Sequence, residues 1–225
     1  MAKKILAILA HEDDEVIGCG GLLALNHLQQ GENYVVCAAG FDEKRKAELE
    51  AACEILGVND IDMLEIENIL DHSKQEIIDI LKSKIRAYQP HIIVTHGTEF
   101  DYNREHRIIG ELALDAAQAA LHGKAPGSSW RVDEILLTET HNLFPKPDRV
   151  YDISDVFETK QEAMKAHVSQ LEKQTTAQNY YLRLNEYKAL LRGLQSGCRY
   201  GEAFMARTLP VFADLYSEPL ARKEV

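Results

Sequence analysis

The chain has 225 residues, 45% of them hydrophobic and 27% charged, with a formal net charge of −11. That length supports one sizeable core without requiring two domains. The acidic balance excludes a general nucleic-acid binder or a binder of anionic membrane surfaces, because both are held through clustered Lys and Arg, and no segment approaches the ~20 apolar residues of a membrane span.

The opening stretch MAKKILAILAHEDDE joins two lysines to an apolar run, but the run is too short for a secretory signal and ends in acid instead of small residues. It reads as a first strand, KKILAIL, in a protein expected in the cytoplasm. VIGCGGLLALNHLQQG then reads as a helix stopped by Gly31, and NYVVCAA as the second strand. DEKRKAELEAACEILGV is helical, with Leu49, Ala52, Cys53 and Leu56 on one face; DIDMLEI is a weaker third strand. SKQEIIDILKSKIRAYQP is an amphipathic helix closed by Pro90, HIIVTH a buried strand, and REHRIIGELALDAAQAALHG a further helix. GKAPGSSW (123–130) is a loop, and EILLTET and RVYDIS are strands. Residues 155–173 and 177–195 form a helical pair, and YGEAFMA adds a last strand. Four strand–helix alternations predict right-handed βαβ units. The expected fold is α/β: a Rossmann-like three-layer α/β/α arrangement with a mostly parallel sheet and an added C-terminal helical lobe, all one domain over 1–225.

The four cysteines (Cys19, Cys37, Cys53, Cys198) show no C-x-x-C spacing, so buried free thiols are expected. The acidic turn AHEDDE needs a stronger explanation, because adjacent carboxylates repel. It occupies the first βα loop, and HGTEFDYNREH follows the fourth strand. Ligands of open α/β sheets bind at the carboxyl ends of the strands, so the two loops can bring His11, Asp13, Asp14 and His106 together. Two imidazoles and a carboxylate are a catalytic zinc set with one position open for water, and zinc brings the pKa of that water toward ~7. A second carboxylate that does not bind metal can take the water's proton. His96 is a competing ligand close to its strand end. His72, His91 and His122 read as surface or packing residues, and His167 as structural. IGCGG lacks the full dinucleotide-loop spacing, and pyrophosphate would be repelled by the neighbouring acids. NYYLRLNEYKALLRGLQSGCRY fits a helix packing its apolar face better than a nucleic-acid surface.

Along its length the sequence resembles the PIG-L/LmbE-like zinc-dependent N-deacetylases. AHEDDE is similar to their first motif, A-H-P-D-D-E, and RKAELEAACEILGV to an R-x-x-E segment followed by A and L-G. YQPHIIVTH is similar to their strand after a proline, and DYNREHRIIG to their second histidine motif. KQEAMKAHVSQ resembles K-x-x-A-x-x-x-H-x-S-Q, and GCRYGEAF the closing Y-x-E-x-F. The resemblance implies removal of an N-acetyl group from an amino sugar or glycoconjugate, a small-molecule partner, and zinc as cofactor, with iron or another divalent ion as the alternative. It implies His11, Asp14 and His106 as metal ligands, Asp13 as general base, Arg45 and Asp101 as substrate contacts, and Glu15 orienting a ligand imidazole. Glu12 replaces the motif's proline. Asn103 stands where many members carry a histidine that stabilises the oxyanion; an amide can donate a hydrogen bond there but cannot deliver a proton, so His141 is the supplementary catalytic candidate. Homo-oligomerisation is left open. The rivals are a non-catalytic nucleotide- or sugar-binding module and a two-metal phosphoesterase.

Overall fold

All but the first of the six residues KILAIL are buried on both faces, as expected of a central parallel strand. In the computed structural model, which describes residues 2–40, 42–123, 128–172 and 179–207, this run is β1 (Lys4–Leu9). It is followed by α1 (Asp14–Leu28), β2 (Glu32–Cys37), α2 (Glu43–Leu56), β3 (Asp60–Met63) and a 3₁₀ turn at Ile69–Asp71. Next come α3 (Lys74–Tyr88), β4 (Ile92–His96), α4 (Arg104–Ala120), β5 (Glu134–Thr138) and β6 (Arg149–Asp152). The chain then forms α5 (Phe157–Ala166), α6 (Val168–Glu172), α7 (Tyr180–Ser196) and β7 (Gly201–Ala206). Residues 124–127 of the predicted loop, 173 of the first predicted C-terminal helix and 177–178 of the second lie outside the described residues. The expected helix over 155–173 is broken at His167, which leaves helical geometry (φ −79°, ψ 60°) and separates α5 from α6.

The sheet runs β3-β2-β1-β4-β5-β7-β6. The first five strands are mutually parallel, and β7 runs antiparallel to both β5 and β6. One face carries α1, α2, α5 and α7, whose apolar residues share a core with alternate β1 and β2 residues; α3 and α4 cover the other face. The C-terminal helices therefore extend an existing layer, α5 packing on α1 and α2. Strand order reverses between β1 and β4, and the crevice at such a switch point is where open α/β sheets bind ligands. Among the described residues no helix is long and apolar enough to cross a membrane. Cys19, Cys37 and Cys53 are buried free thiols; Cys198 is half-buried beyond the end of α7.

Helix α1 is kinked at Cys19 (φ −145°, ψ 15°), and the cause is local. Lys160 and Lys188 Nζ donate to Ile17 O at 3.3 and 3.1 Å, and Thr138 Oγ1 donates to Gly18 O. Gly21 and Leu22 N–H donate to the Glu202 carboxylate at 3.1 and 2.7 Å. The groups that would close the helical ladder across the kink are thus taken by side chains, which is a recognised way to bend a helix. The glycines of IGCGG serve this packing. A Cβ at Gly18 would meet Thr138 at 2.9 Å, and one at Gly21 would meet Ile153 at 2.7 Å.

Candidate active site

The turn after β1 and the loop after β4 meet at the switch point. His11 Nδ1 lies 3.1 Å from His106 Nε2 and 3.5 Å from Asp14 Oδ2, and His106 Nε2 lies 3.4 Å from Asp14 Oδ2. Ligand atoms about 2.0–2.1 Å from a tetrahedral zinc stand about 3.3–3.4 Å apart, so one divalent ion fits this triangle. The outer ring nitrogens are held by carboxylates: Glu105 Oε2 is 2.7 Å from His11 Nε2, and Asp101 Oδ2 is 2.9 Å from His106 Nδ1. Such outer contacts fix a ligand imidazole's tautomer and orientation.

Asp14 is buried, and His11 N–H donates to its Oδ2 at 2.8 Å. Burial would raise its carboxyl pKa, but His106, His96 and His11 together hold it well below the usual range. Burial would lower His11 and His106, yet carboxylates overcome this at both, Asp14 and Glu105 taking His11 up to about 9. His96 behaves differently. Its Nε2 accepts from Ala10 N–H at 3.0 Å, so in the neutral ring Nδ1 carries the proton facing Thr140 Oγ1 at 3.0 Å. Burial pulls it down to about 4. Although His96, Asp101 and His106 also cluster closely enough to hold an ion, His96 has no lone pair to offer and Asp101 already bonds His106. His96 is a packing residue stacked on His106, ring centroids 4.1 Å apart.

Asp13 stands apart from its neighbour. Its φ of 123° is a strained conformation for a non-glycine residue, steadied by its N–H donating to Glu15 Oε2 at 3.0 Å. Its carboxyl lies 3.7 Å from Arg45 Nη2. Burial first, and then the negative charge of Asp14, push it up to about 7. Glu15 corrects the expectation that it orients a ligand imidazole: its Oε1 is 2.6 Å from Nε2 of the buried His167, so it braces Asp13 and α6 instead. Asp101, expected against substrate, has both oxygens engaged within the protein. Oδ2 faces His106, and Oδ1 accepts from Asn103 N–H at 2.9 Å. It positions His106.

Asn103 caps α4, its Oδ1 accepting from Glu105 N–H at 2.9 Å, which leaves the amide nitrogen as its free donor. His141 stacks on His106 with centroids 5.0 Å apart, its Nδ1 3.6 Å from Asp101 Oδ1 and without a hydrogen bond. A pocket of about 270 Å³ opens beside His11, walled by Glu12, Arg45, Asp42, Glu67 and Glu105 among others. Glu105 was missed from sequence, and His96, a competing ligand there, packs against His106 instead. Glu105 adjoins His106 in the motif, but nothing in a linear pattern shows its side chain crossing to an imidazole 94 residues away.

Residues 6–117 match the family model described as PIG-L, GlcNAc-PI de-N-acetylase. The chain is 28% identical over 192 residues to a probable N-acetyl-alpha-D-glucosaminyl L-malate deacetylase of Bacillus subtilis, covering 76% of this chain and 85% of the relative. It is 27% identical over 221 residues to the 4-oxalmesaconate hydratase of Pseudomonas putida, covering 86% and 81%. Among solved structures, an N,N'-diacetylchitobiose deacetylase from Pyrococcus horikoshii superposes with a TM-score of 0.75 at 27% identity, over 91% of this chain and 84% of that one.

Proposed function

Because this chain belongs to the PIG-L family, we propose that it is a metal-dependent hydrolase that removes an N-acetyl group from an amino sugar or glycoconjugate. The carrying observation is the triangle of His11 Nδ1, Asp14 Oδ2 and His106 Nε2, with the separate carboxyl of Asp13 in the same turn. Zinc is the first choice for this nitrogen–oxygen set and iron the alternative; either supplies Lewis acidity toward an amide carbonyl and a readily deprotonated water.

The protein's own groups do the rest. Asp13, near neutrality in its pKa, takes a proton from the attacking water and passes it to the departing amine. Asn103 offers its amide nitrogen as a donor to the developing oxyanion, and a ring N–H of His141, beside His106, is a second donor toward it. Asp101 and Glu105 keep the two imidazoles in the tautomers that expose lone pairs to the ion.

The test pairs metal content of the purified protein with acetate release from N-acetylglucosamine and N,N'-diacetylchitobiose. About one ion per chain and metal-dependent acetate support the reading; bound metal without acetate from any N-acetylated sugar overturns it. The hydratase relative, which covers more of the chain than the Bacillus one, favours water addition to an unsaturated acid as the second reading. A parallel absorbance assay on such an acid separates the two.

A further inference from the structure

Glu12 is 1% exposed and shares the wall of the 270 Å³ pocket with Arg45. Arg45 Nη2 donates to Glu12 O and lies 3.3 Å from Glu12 Oε2. Two buried atoms of this pair nevertheless have no hydrogen-bond partner: Glu12 Oε2, an acceptor, and Arg45 Nε, a donor. Buried polar groups are ordinarily satisfied, and both residues line a cavity that adjoins His11.

We propose that Glu12 and Arg45 together read one hydroxyl of a neutral sugar, and that the pocket thereby rejects substrates bearing a carboxylate or phosphate there; this rests on the deacetylase reading above. A hydroxyl donates to Oε2 and accepts from Nε–H at once. An anionic group could satisfy Arg45 only by bringing its charge against Glu12, with Asp42, Glu67 and Glu105 in the same wall. An ammonium would suit Glu12 but face the like charge of Arg45. A divalent ion at the neighbouring triangle would be partly offset by Asp14 within the triangle and by Asp101 behind His106. Arg45, on its own a natural anchor for anions, is neutralised by the residue that replaces the motif's proline.

The test uses the zinc-loaded protein with N-acetylglucosamine and its 1-phosphate and 6-phosphate, which carry charge at opposite ends of the ring. Binding is followed by saturation-transfer NMR and turnover by acetate release. The neutral sugar should bind at least tenfold more tightly than at least one of the phosphates, and Glu12→Gln should narrow that gap to under about threefold. Arg45→Gln, an independent variant should Glu12→Gln fail to fold, should weaken the neutral sugar without admitting the phosphates. Equal binding of all three by the unaltered protein, or gaps unchanged in Glu12→Gln, overturns the inference. Neutral-selective binding without acetate release would defeat the deacetylase reading and leave the hydroxyl-reading pair standing. Acetate released equally well from all three would do the reverse.

Discussion

Asp13 and Asp14 are adjacent in the chain and face opposite ways: Asp13 Oδ2 lies 3.7 Å from Arg45 Nη2, while Asp14 Oδ2 sits 3.3–3.5 Å from His96, His106 and His11. Burial takes the first carboxyl up to about 7, and imidazoles hold the second well below its ordinary value. Neighbouring carboxyls driven apart in this way are suited to different roles. Asp13→Asn should retain metal and lose roughly 10²–10⁴-fold in kcat, the usual worth of a general base. Metal analysis alongside acetate-release kinetics checks both halves. Loss of the ion in this variant would reverse the assignment.

His106→Ala should abolish metal binding. Asp101→Asn keeps the ligand but alters the partner of its Nδ1, and should weaken the metal about 10–100-fold. Competition against a fluorescent chelator measures both; an Asp101→Asn protein with undiminished affinity would remove the positioning role.

Metal affinity should climb with pH. His11, ordinarily 6.5, is carried to about 9 although burial opposes it. In the metal-free protein its protonated form contributes stability that is fully present below about pH 6.5 and lost as pH rises through about 9. Coordination needs the neutral ring, so the ion competes with that proton and its affinity should gain up to about tenfold per pH unit across the window. Chelator competition at three pH values, with thermal melts of the metal-free protein, reads both trends. A flat affinity would mean that His11 is not a ligand.

Glu202 should matter for stability out of proportion to its distance from the centre. It lies 2.5 Å from Lys160 Nζ and accepts from Gly21 and Leu22 N–H, all buried. Glu202→Ala strands a buried ammonium and two amides and should cost about 3–5 kcal/mol by denaturant unfolding. A change under about 1 kcal/mol would show that the kink is held by other contacts.

Strand and helix periodicity made the parallel core legible, because ILAIL and IIV are apolar runs and α3 and α4 each bury one face. The break at His167 was not, since α5 and α6 read as one amphipathic run, and the contacts at the break, His167 with Glu15 and Ser169 with Glu48, come from distant parts of the chain. The meeting of His11, Asp14 and His106 was legible from motif residues in two βα loops. What the other motif residues do was not: Lys160 meets Glu202, His167 meets Glu15, and Ser169 Oγ donates to Glu48 at 2.6 Å. Pairs separated by 42 to 152 residues leave no local pattern.

The register of β1 on β4 pairs Ile5 with Ile92. Two of the three residues of the triangle, His11 and Asp14, follow β1, and the third, His106, follows β4, so a nascent chain that has not yet made residue 106 holds only His11 and Asp14. Non-local strand pairing of this kind is a slow step of assembly. Capture of a metal ion is therefore a clock for folding: the rate at which refolding protein quenches a metal dye reports closure of the sheet between β1 and β4, without a label on either strand.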